Sequence, residues 1–190
     1  GIINSGPAAS QLLRELARIT GAPVTSTLMG LGALPASSPQ WLGMLGMHGT
    51  YEANMAMNEA DLVLAIGSRF DDRVTGRLDA FSPNSRKVHI DIDRSSVNKT
   101  VRIDLAVIAD AGHALEAMVK LWKARAHPKP DTADWWRRIA GWRAAKCLDF
   151  PETPGSNEIM PQRAVRALYE ATKHLSPIVS TEVGQHQMWA

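Results

Sequence analysis

Two glycine turns on either side of an apolar run have the residue types and spacing best suited to chemistry. The first, Gly-Met-His-Gly, occupies residues 46–49, and the second, Gly-Ser-Arg-Phe-Asp-Asp-Arg-Val, occupies residues 67–74. Between them, Leu62–Ile66 predicts a buried parallel strand that ends in glycine. In an open α/β sheet, ligands bind beyond the carboxyl ends of the strands, where glycine permits close backbone approach. The two turns therefore predict a site for a nucleotide-sized cofactor.

A dinucleotide needs hydrogen-bond donors for its pyrophosphate and acceptors for its ribose and base. The donors can come from residues at the glycine turns, namely Gly1, Asn4, Gly46, Gly49 and Gly67. Asp91 and Asp110, each at the end of a predicted strand, can supply the acceptors. Either aspartate taken alone is more typical of a helix cap or a turn. Their expected place on one sheet edge favours the ligand role.

The elements that would position these residues alternate as helix, strand, helix, strand, strand, strand, helix. The spacing predicts helices over 7–20, 50–60 and 111–124 and strands over 23–26, 62–66, 87–93 and 105–109. Residues 27–50, which are rich in Gly, Pro and Ser, predict a binding loop or a disordered one. This order predicts an α/β fold with a doubly wound parallel sheet. Because the glycine turn of residues 1–6 has no strand before it, we expect the first strand to be missing and the chain to be an internal piece.

The composition changes after residue 125. Prolines flank an amphipathic helix that holds Trp135, Trp136, Trp142 and Cys147, which predicts an interdomain connector with the tryptophans as packing anchors and the cysteine buried. Farther along, residues 160–173 predict a helix and residues 177–181 a strand. We therefore divide the chain into a central domain (1–125), a connector (126–155) and the start of a second α/β domain (156–190).

Charge and cysteine content exclude several classes of function. Lys and Arg number 21 against 19 Asp and Glu, a net charge of +2, which offers no broad basic surface for nucleic acid. No segment approaches the roughly 20 apolar residues that a membrane span requires. The single Cys147 excludes an intrachain disulfide and a multi-cysteine zinc site. It suits a reducing compartment, so we expect a cytoplasmic protein.

Four motifs, in order along the chain, resemble the large-subunit family of acetohydroxyacid synthase, also called acetolactate synthase. They are Thr-Leu-Met-Gly at 27–30, Leu-Gly-Met-His-Gly at 45–49, Arg-Phe-Asp-Asp-Arg-Val at 69–74 and Glu-Val-Gly-Gln-His-Gln-Met-Trp at 182–189. The resemblance implies a thiamine-diphosphate enzyme that also carries FAD and Mg²⁺. It assigns a Rossmann-like FAD domain to residues 1–125 and the start of the thiamine-diphosphate domain to residues 156–190.

The resemblance also assigns site residues. The implied FAD contacts are Gly1, Asn4, Thr27, Leu28, Met29, Gly46, Met47, His48, Gly67, Ser68, Arg69, Asp71, Val74, Asp91, Ile92, Asp110 and Ala111. The implied thiamine-diphosphate contacts are Val183, Gly184, Gln185 and His186. A channel for substrate and inhibitors would pass Met47, Asp72 and Arg73. Arg73 would bind the carboxylate of the second keto acid, since a guanidinium is a forked, permanent cation. The alternative is a surface ion pair within residues 71–73.

The implied reaction decarboxylates pyruvate and joins the two-carbon unit to pyruvate or 2-ketobutyrate. The products, 2-acetolactate and 2-aceto-2-hydroxybutyrate, begin the common pathway to valine, leucine and isoleucine. The family's activating glutamate and metal-binding motif lie outside these residues, so we expect the chain alone to be inactive and to hold no metal ligand. The family implies a homodimer or tetramer of catalytic subunits with a small regulatory subunit.

Other interpretations remain open at this point. Glyoxylate carboligase and pyruvate oxidase are related thiamine-diphosphate enzymes with a similar middle domain. A non-catalytic nucleotide-binding module would need only the central sheet, but the turn at residues 183–186 argues against it. An NAD-dependent deacylase-like domain is set aside, because such domains carry a four-cysteine zinc module.

Overall fold

The computed structural model describes residues 2–125, 128, 130–151 and 158–189. Two units are distinguished, Gly1–Cys147 and Leu148–Ala190. The strands found among the described residues all lie in the first unit.

The strands of the first unit pair only in parallel. They are β1 (Val24–Ser26), β2 (Trp41–Met44), β3 (Leu62–Ile66), β4 (Arg86–Asp91) and β5 (Leu105–Ile108). Hydrogen bonds join β1 to β2 in one sheet and order β3-β4-β5 in the other. The predicted α/β fold with parallel strands is confirmed.

Strand β2 was not predicted, because residues 27–50 were expected to form a loop. Its sequence, Trp-Leu-Gly-Met, is short and contains a glycine, which lowers local strand propensity. Pairing with β1 and burial of Leu42, which is 3% exposed, hold it in place. Tertiary contacts therefore formed a strand that local pattern did not indicate.

Helices lie on both sides of the strands. They are α1 (Pro7–Thr20), α2 (Tyr51–Glu59), the single turn α3 (Asp72–Thr75), α4 (Ala111–Ala124) and α5 (Ala133–Arg143). Helix α1 begins with proline at its first position, where the missing N–H costs nothing. It ends at Gly21 in the left-handed conformation. Helix α4 has the bounds that the sequence predicted.

Two apolar clusters form the core. The first joins α1 and α4 to the strands through Leu13, Leu16, Leu115 and Val119, with Val24, Trp41, Leu64 and Ile66 packed against them. The second joins β2, α2 and α5 through Leu42, Ala53, Ala56 and Ile139, with Trp135, Trp136 and Trp142 packed against them. Consecutive residues of a strand point to opposite faces. Since Trp41 contacts one cluster and Leu42 the other, the clusters lie on opposite faces of β2.

The tryptophan helix α5 packs against elements of the first unit. Trp136 donates from Nε1 to the carbonyl of Gly21 at 2.9 Å, and Ile139 is completely buried in the second cluster. The expectation of a buried Cys147 is wrong, because this side chain is exposed. Helix α5 ends at Arg143, so Cys147 lies beyond its apolar face.

The second unit is helical where it is described. Helix α6 (Pro161–Thr172) lies within the predicted range, and the short helix α7 (Gln185–Trp189) follows. The strand expected over 177–181 is wrong, since these described residues form no strand. Ile178 is fully exposed and Val179 is 68% exposed, so neither gains the burial that a strand in a sheet would give. A search of the described residues for a helix able to cross a membrane finds none.

Candidate functional site

The carboxyl ends of β3, β4 and β5 lie side by side. The Gly67 amide, after β3, donates to the carbonyl of Ile90 at 2.7 Å, and the Ala109 amide, after β5, donates to the carbonyl of Asp91 at 3.1 Å. Asp91 and Asp110 therefore share one sheet edge, as predicted.

The first glycine turn (residues 46–49) packs directly against the second (residues 67–74). The Met47 amide donates to the carbonyl of Arg73 at 2.8 Å. Gly46 has φ +97°, and a Cβ at this position would lie 2.3 Å from the Arg73 carbonyl oxygen and 2.8 Å from Val74 Cα. Both neighbours are backbone atoms, so only glycine fits. The two motifs that predicted a cofactor site thus form one contiguous surface.

The 3₁₀ turn near the start of the chain, called the opening turn below, also lies at this sheet edge. Ser5, at the end of the 3₁₀ turn Ile2–Ser5, donates from Oγ to Asp110 Oδ2 at 2.9 Å. This turn also contacts the 3₁₀ turn Leu28–Gly30, which follows β1. Asn4, Thr27, Leu28 and Met29 therefore lie next to the strand ends. Gly1 lies outside the described residues.

Apolar side chains are exposed where the strands end. The exposed fractions are 42% for Leu28, 84% for Met29, 68% for Met47 and 73% for Ile92. Large apolar side chains are usually buried, and a cluster of exposed ones is typical of a ligand surface. A largely apolar ligand would cover such side chains, so they are compatible with the predicted flavin dinucleotide, and contact with it stays a prediction.

The glycine amides do not fit the donor role that the sequence suggested for them. Gly46 donates to Asn54 Oδ1 at 2.8 Å, Gly49 to the Gly46 carbonyl at 3.0 Å and Gly67 to the Ile90 carbonyl at 2.7 Å. These N–H groups already have internal acceptors, so the structure gives no support to their role as pyrophosphate donors, and contact of these glycines with a cofactor stays a prediction. In the structure, these glycines serve backbone packing. Exposed donors remain in the side chains of His48 and Arg69.

Arg69 and Arg73 each pair with a neighbouring carboxylate. Arg69 Nη2 lies 2.9 Å from Asp71 Oδ2, and Arg73 Nη1 lies 2.5 Å from Asp72 Oδ2. The Arg73 and Asp72 side chains are 66% and 78% exposed, so the pair contributes little stability. The surface ion pair anticipated as the alternative is therefore present. It leaves Arg73 accessible to a carboxylate ligand.

Asp110 caps helix α4. Its Oδ1 accepts from the amides of Gly112 at 2.8 Å and His113 at 3.2 Å, while Oδ2 accepts from Ser5. The Ser5 hydrogen bond, followed by those from the helix amides, holds the pKa of Asp110 below its ordinary value. Helix capping is thus the role that the structure shows for Asp110. Its contact with a cofactor stays a prediction.

Asp91 lies on a buried polar face of β4. Its Oδ1 accepts from the Asp93 amide at 2.8 Å, and its Oδ2 lies 3.5 Å from Nε2 of the fully buried His89. Phe70 contacts the His89 ring edge to face at 5.1 Å between centroids. His89 carried no sequence signal beyond its place in a strand.

Asn54 and Thr50, both on or next to α2, were missed by the sequence analysis. Asn54 bonds both backbone polar groups of Gly46, donating from Nδ2 to its carbonyl at 3.0 Å. Thr50 caps α2 by accepting from the Ala53 amide and donates to the Leu42 carbonyl. The only signal available for Asn54 was its poor helix propensity within a predicted helix.

A small cavity of about 130 Å³ lies beside these residues. Its lining includes Asn54, Thr75 and Ser82. Since ligand pockets for molecules of drug size span about 300–1,000 Å³, it does not hold a dinucleotide. Among the described residues, no group of three His, Cys, Asp or Glu side chains could hold a metal ion.

The predicted thiamine-diphosphate residues lie in the second unit. Gly184 precedes α7 and accepts from the Gln187 amide at 3.1 Å, and Val183 is 87% exposed. Gln185 and His186 begin the helix and are also exposed. Their role in binding diphosphate stays a prediction.

Comparison with known families matches residues 1–118 to the description "Thiamine pyrophosphate enzyme, central domain". The chain belongs to this family. Its relatives include the acetolactate synthase large subunit of Haemophilus influenzae, 46% identical over 182 residues that cover 95% of this chain and 31% of the relative. The acetolactate synthase isozyme 3 large subunit of Escherichia coli is 45% identical over 192 residues, 100% of this chain and 33% of the relative. Acetolactate synthase 1, chloroplastic, of Zea mays is 43% identical over 190 residues, 99% and 29%. The chain thus spans about a third of the length of these relatives.

Proposed function

We propose that this chain is the flavin-binding part, with the start of the thiamine-diphosphate part, of an acetolactate synthase catalytic subunit. The observation that carries the proposal is the 43–46% identity to acetolactate synthases over 95–100% of the chain. The protein would decarboxylate pyruvate and join the two-carbon unit to pyruvate or 2-ketobutyrate. This step begins branched-chain amino-acid synthesis. Thiamine diphosphate, when bound, supplies the decarboxylation and carbon–carbon bond-forming chemistry.

Residues at the strand ends would hold FAD. Leu28, Met29, Met47 and Ile92 offer the apolar surface described above, and the side chains of Arg69 and His48 offer donors for the pyrophosphate. Asp91, at the end of β4, is buried, and its carboxylate would contact a ribose while also accepting from the Asp93 amide. The FAD would serve structure and not net redox turnover.

Arg73 would recognise the acceptor keto acid. Its guanidinium presents forked donors to a carboxylate, and its backbone carbonyl holds Met47 beside it. Met47, Asp72 and Arg73 would therefore form one wall of the substrate channel. Val183, Gly184, Gln185 and His186 would contact the diphosphate of thiamine diphosphate. Its Mg²⁺ would be bound by residues outside these 190.

Partners and location complete the proposal. The relatives from Haemophilus influenzae and Escherichia coli are named large subunits, which supports association with a small regulatory subunit. We extend the proposal to a homodimer or tetramer of catalytic subunits in the cytoplasm. The FAD domain would occupy residues 1–125, the connector 126–155 and the thiamine-diphosphate domain would begin at 156.

The test is a product assay on the protein at its full natural length. Purified protein with thiamine diphosphate and Mg²⁺ should convert pyruvate to 2-acetolactate, and should form 2-aceto-2-hydroxybutyrate when 2-ketobutyrate is added. Its visible spectrum should show bound flavin. Condensation of glyoxylate instead would identify a carboligase for that substrate, and oxidative decarboxylation of pyruvate would identify an oxidase. Either result would overturn the proposal.

A further inference from the structure

We propose that Asn54 is a positioning residue for the substrate channel, acting through the backbone of Gly46 on Met47 and Arg73. This inference rests on the proposed function, because it concerns the same channel. No sequence motif includes Asn54, and its side chain does not need to touch substrate or cofactor to act.

The carboxamide of Asn54 pairs with both polar backbone groups of one residue. The Gly46 amide donates to Oδ1 at 2.8 Å, and Nδ2 donates to the Gly46 carbonyl at 3.0 Å. A residue in an antiparallel ladder exchanges the same two bonds with its partner. Only a carboxamide offers a donor and an acceptor at that separation, since a carboxylate has no donor. Asparagine at this position is therefore matched to the turn.

The turn needs this support because glycine does not fix its own conformation. Gly46 has φ +97°, which other residues rarely adopt, and the contact with Arg73 and Val74 excludes any side chain. Glycine permits the close backbone contact, but it also has more accessible backbone conformations than any other residue. The two hydrogen bonds from Asn54 restrict Gly46 to the conformation in which the turn packs against Arg73 and Val74.

Asn54 can act as an anchor because its helix is firmly held. Thr50 caps the start of α2, and Ala53, beside Asn54, is completely buried in the second apolar cluster. Side chains on well-packed helices hold their partners more accurately than side chains on loops.

The Gly46 turn also contacts the backbone at Arg73, in helix α3. Helix α3 is a single turn, and its N-cap residue, Asp71, makes no side-chain cap bond. The carbonyl of Arg73 is held by the Met47 amide at 2.8 Å. The backbone from which the Arg73 side chain extends is therefore held by the Gly46 turn, and the turn is held by Asn54.

The experiment compares variants of the full-length holoenzyme. Asn54→Ala removes both bonds, and Asn54→Asp keeps the acceptor for the Gly46 amide but loses the donor. Asn58→Ala is the matched control, because Asn58 is exposed and lies one turn farther along the same helix.

Kinetics should separate a positioning role from a purely structural one. We expect Asn54→Ala to raise KM for the acceptor keto acid about tenfold, with kcat within about threefold, because binding in ground and transition states weakens together. Asn54→Asp should raise this KM at least as much, because its second carboxylate oxygen would face the Gly46 carbonyl oxygen and repel it. Asn58→Ala should match wild type. Equal KM values for Asn54→Ala and Asn58→Ala would overturn the inference while leaving the proposed function intact.

Hydrogen exchange gives a readout that does not depend on activity. In the wild type, the amides of Gly46 and Met47 should be protected, and in Asn54→Ala they should exchange at least about tenfold faster than in Asn58→Ala. If Asn54→Ala fails to fold, Asn54→Asp carries the same comparison. Rapid exchange of these amides in the wild type would overturn the inference whatever the variants do. Absence of acetolactate formation by a wild type with protected amides would instead count against the proposed function.

Discussion

The guanidinium of Arg73 is two-thirds exposed and pairs with Asp72, so its effect on stability should be small and its effect on substrate large. In the full-length enzyme, we expect Arg73→Lys to raise KM for the acceptor keto acid about tenfold or more, because a lysine keeps the charge but loses the fork. Steady-state kinetics with varied 2-ketobutyrate measure this.

Arg77 provides the control for Arg73. It lies four residues farther along, just after α3, its side chain is 79% exposed, and its Nε lies 2.8 Å from Asp79 Oδ1. Arg77→Lys should leave KM unchanged. A similar KM for Arg73→Lys and wild type would show that the ion pair with Asp72 is the whole role of Arg73.

Gly46 should tolerate replacement less well than Gly76. A Cβ there would lie 2.3 Å from a backbone oxygen at φ +97°, so Gly46→Ala should lower the free energy of unfolding by about 3 kcal/mol or more. Gly76 also has positive φ, at +56°, with ψ −130° outside the left-handed helical region, but nothing lies within 4 Å of its Cβ position, so Gly76→Ala should cost about 1–3 kcal/mol from backbone strain alone. Urea denaturation of the chain measures both. Equal losses would mean that backbone strain, and not the contact with Arg73, decides.

The sequence identified residues whose type is constrained locally, and missed those constrained by distant partners. Gly46 and Arg73 stand in motifs, so their turns could be predicted. Asn54 acts on a residue eight positions away, and nothing in its own helix reveals this. The glycine amides were assigned to pyrophosphate because their internal acceptors, such as the carbonyl of Ile90, come from other elements.

At the scale of elements, Asp110 ties helix α4 to the opening turn, and this tie should depend on pH. Its folded-state pKa is lowered from 3.8, chiefly by the hydrogen bond from Ser5. The stabilisation is therefore present above the unfolded value, about 3.9, and is lost as pH falls through the lower folded pKa. Thermal melts of Asp110→Asn should show a lower Tm than wild type at pH 7, and the difference should shrink as the pH falls below the unfolded value.

Asp61 supplies the comparison for Asp110, because it is exposed and caps no described helix. Asp61→Asn should melt like the wild type throughout the pH range. A Tm difference for Asp110→Asn that stays undiminished over the whole acid range in which the wild type remains folded would show that its charge is not the source of the stabilisation.

Elements with strong periodicity were predicted well, and short elements were not. Helix α4 has fourteen residues with an apolar stripe and an aspartate cap, so local signals agree with the fold. Strand β2 is held by its pairing with β1, and its local sequence pattern indicates a loop. Residues 177–181 contain the β-branched Ile178, Val179 and Thr181, which favour a strand, but they form none, because the burial that would stabilise it is absent there.

For the whole molecule, the alternation of helices and strands predicts parallel strands. Because the carboxyl ends of parallel strands lie at one edge of a sheet, it also predicts that the strand ends lie together. The hydrogen-bonded grouping of the strands did not follow from it. Periodicity shows which residues face a core and contains no information on which strands are neighbours. In the structure, the first apolar cluster contacts Val24 of β1 and Leu64 of β3, so one helical layer covers both sheets.

The two units should differ in their ability to fold alone. Residues 148–190 form no buried core where they are described, and α6 has twelve residues, none of them buried. Isolated helices shorter than about 12–15 residues are marginal in water. A peptide of residues 148–190 should therefore show weak helical circular dichroism that declines gradually on heating. Added trifluoroethanol should raise its helicity, which would show that the sequence is helix-competent. A sigmoidal melt of the peptide in water would contradict this, because a cooperative transition requires a core that the unit does not have.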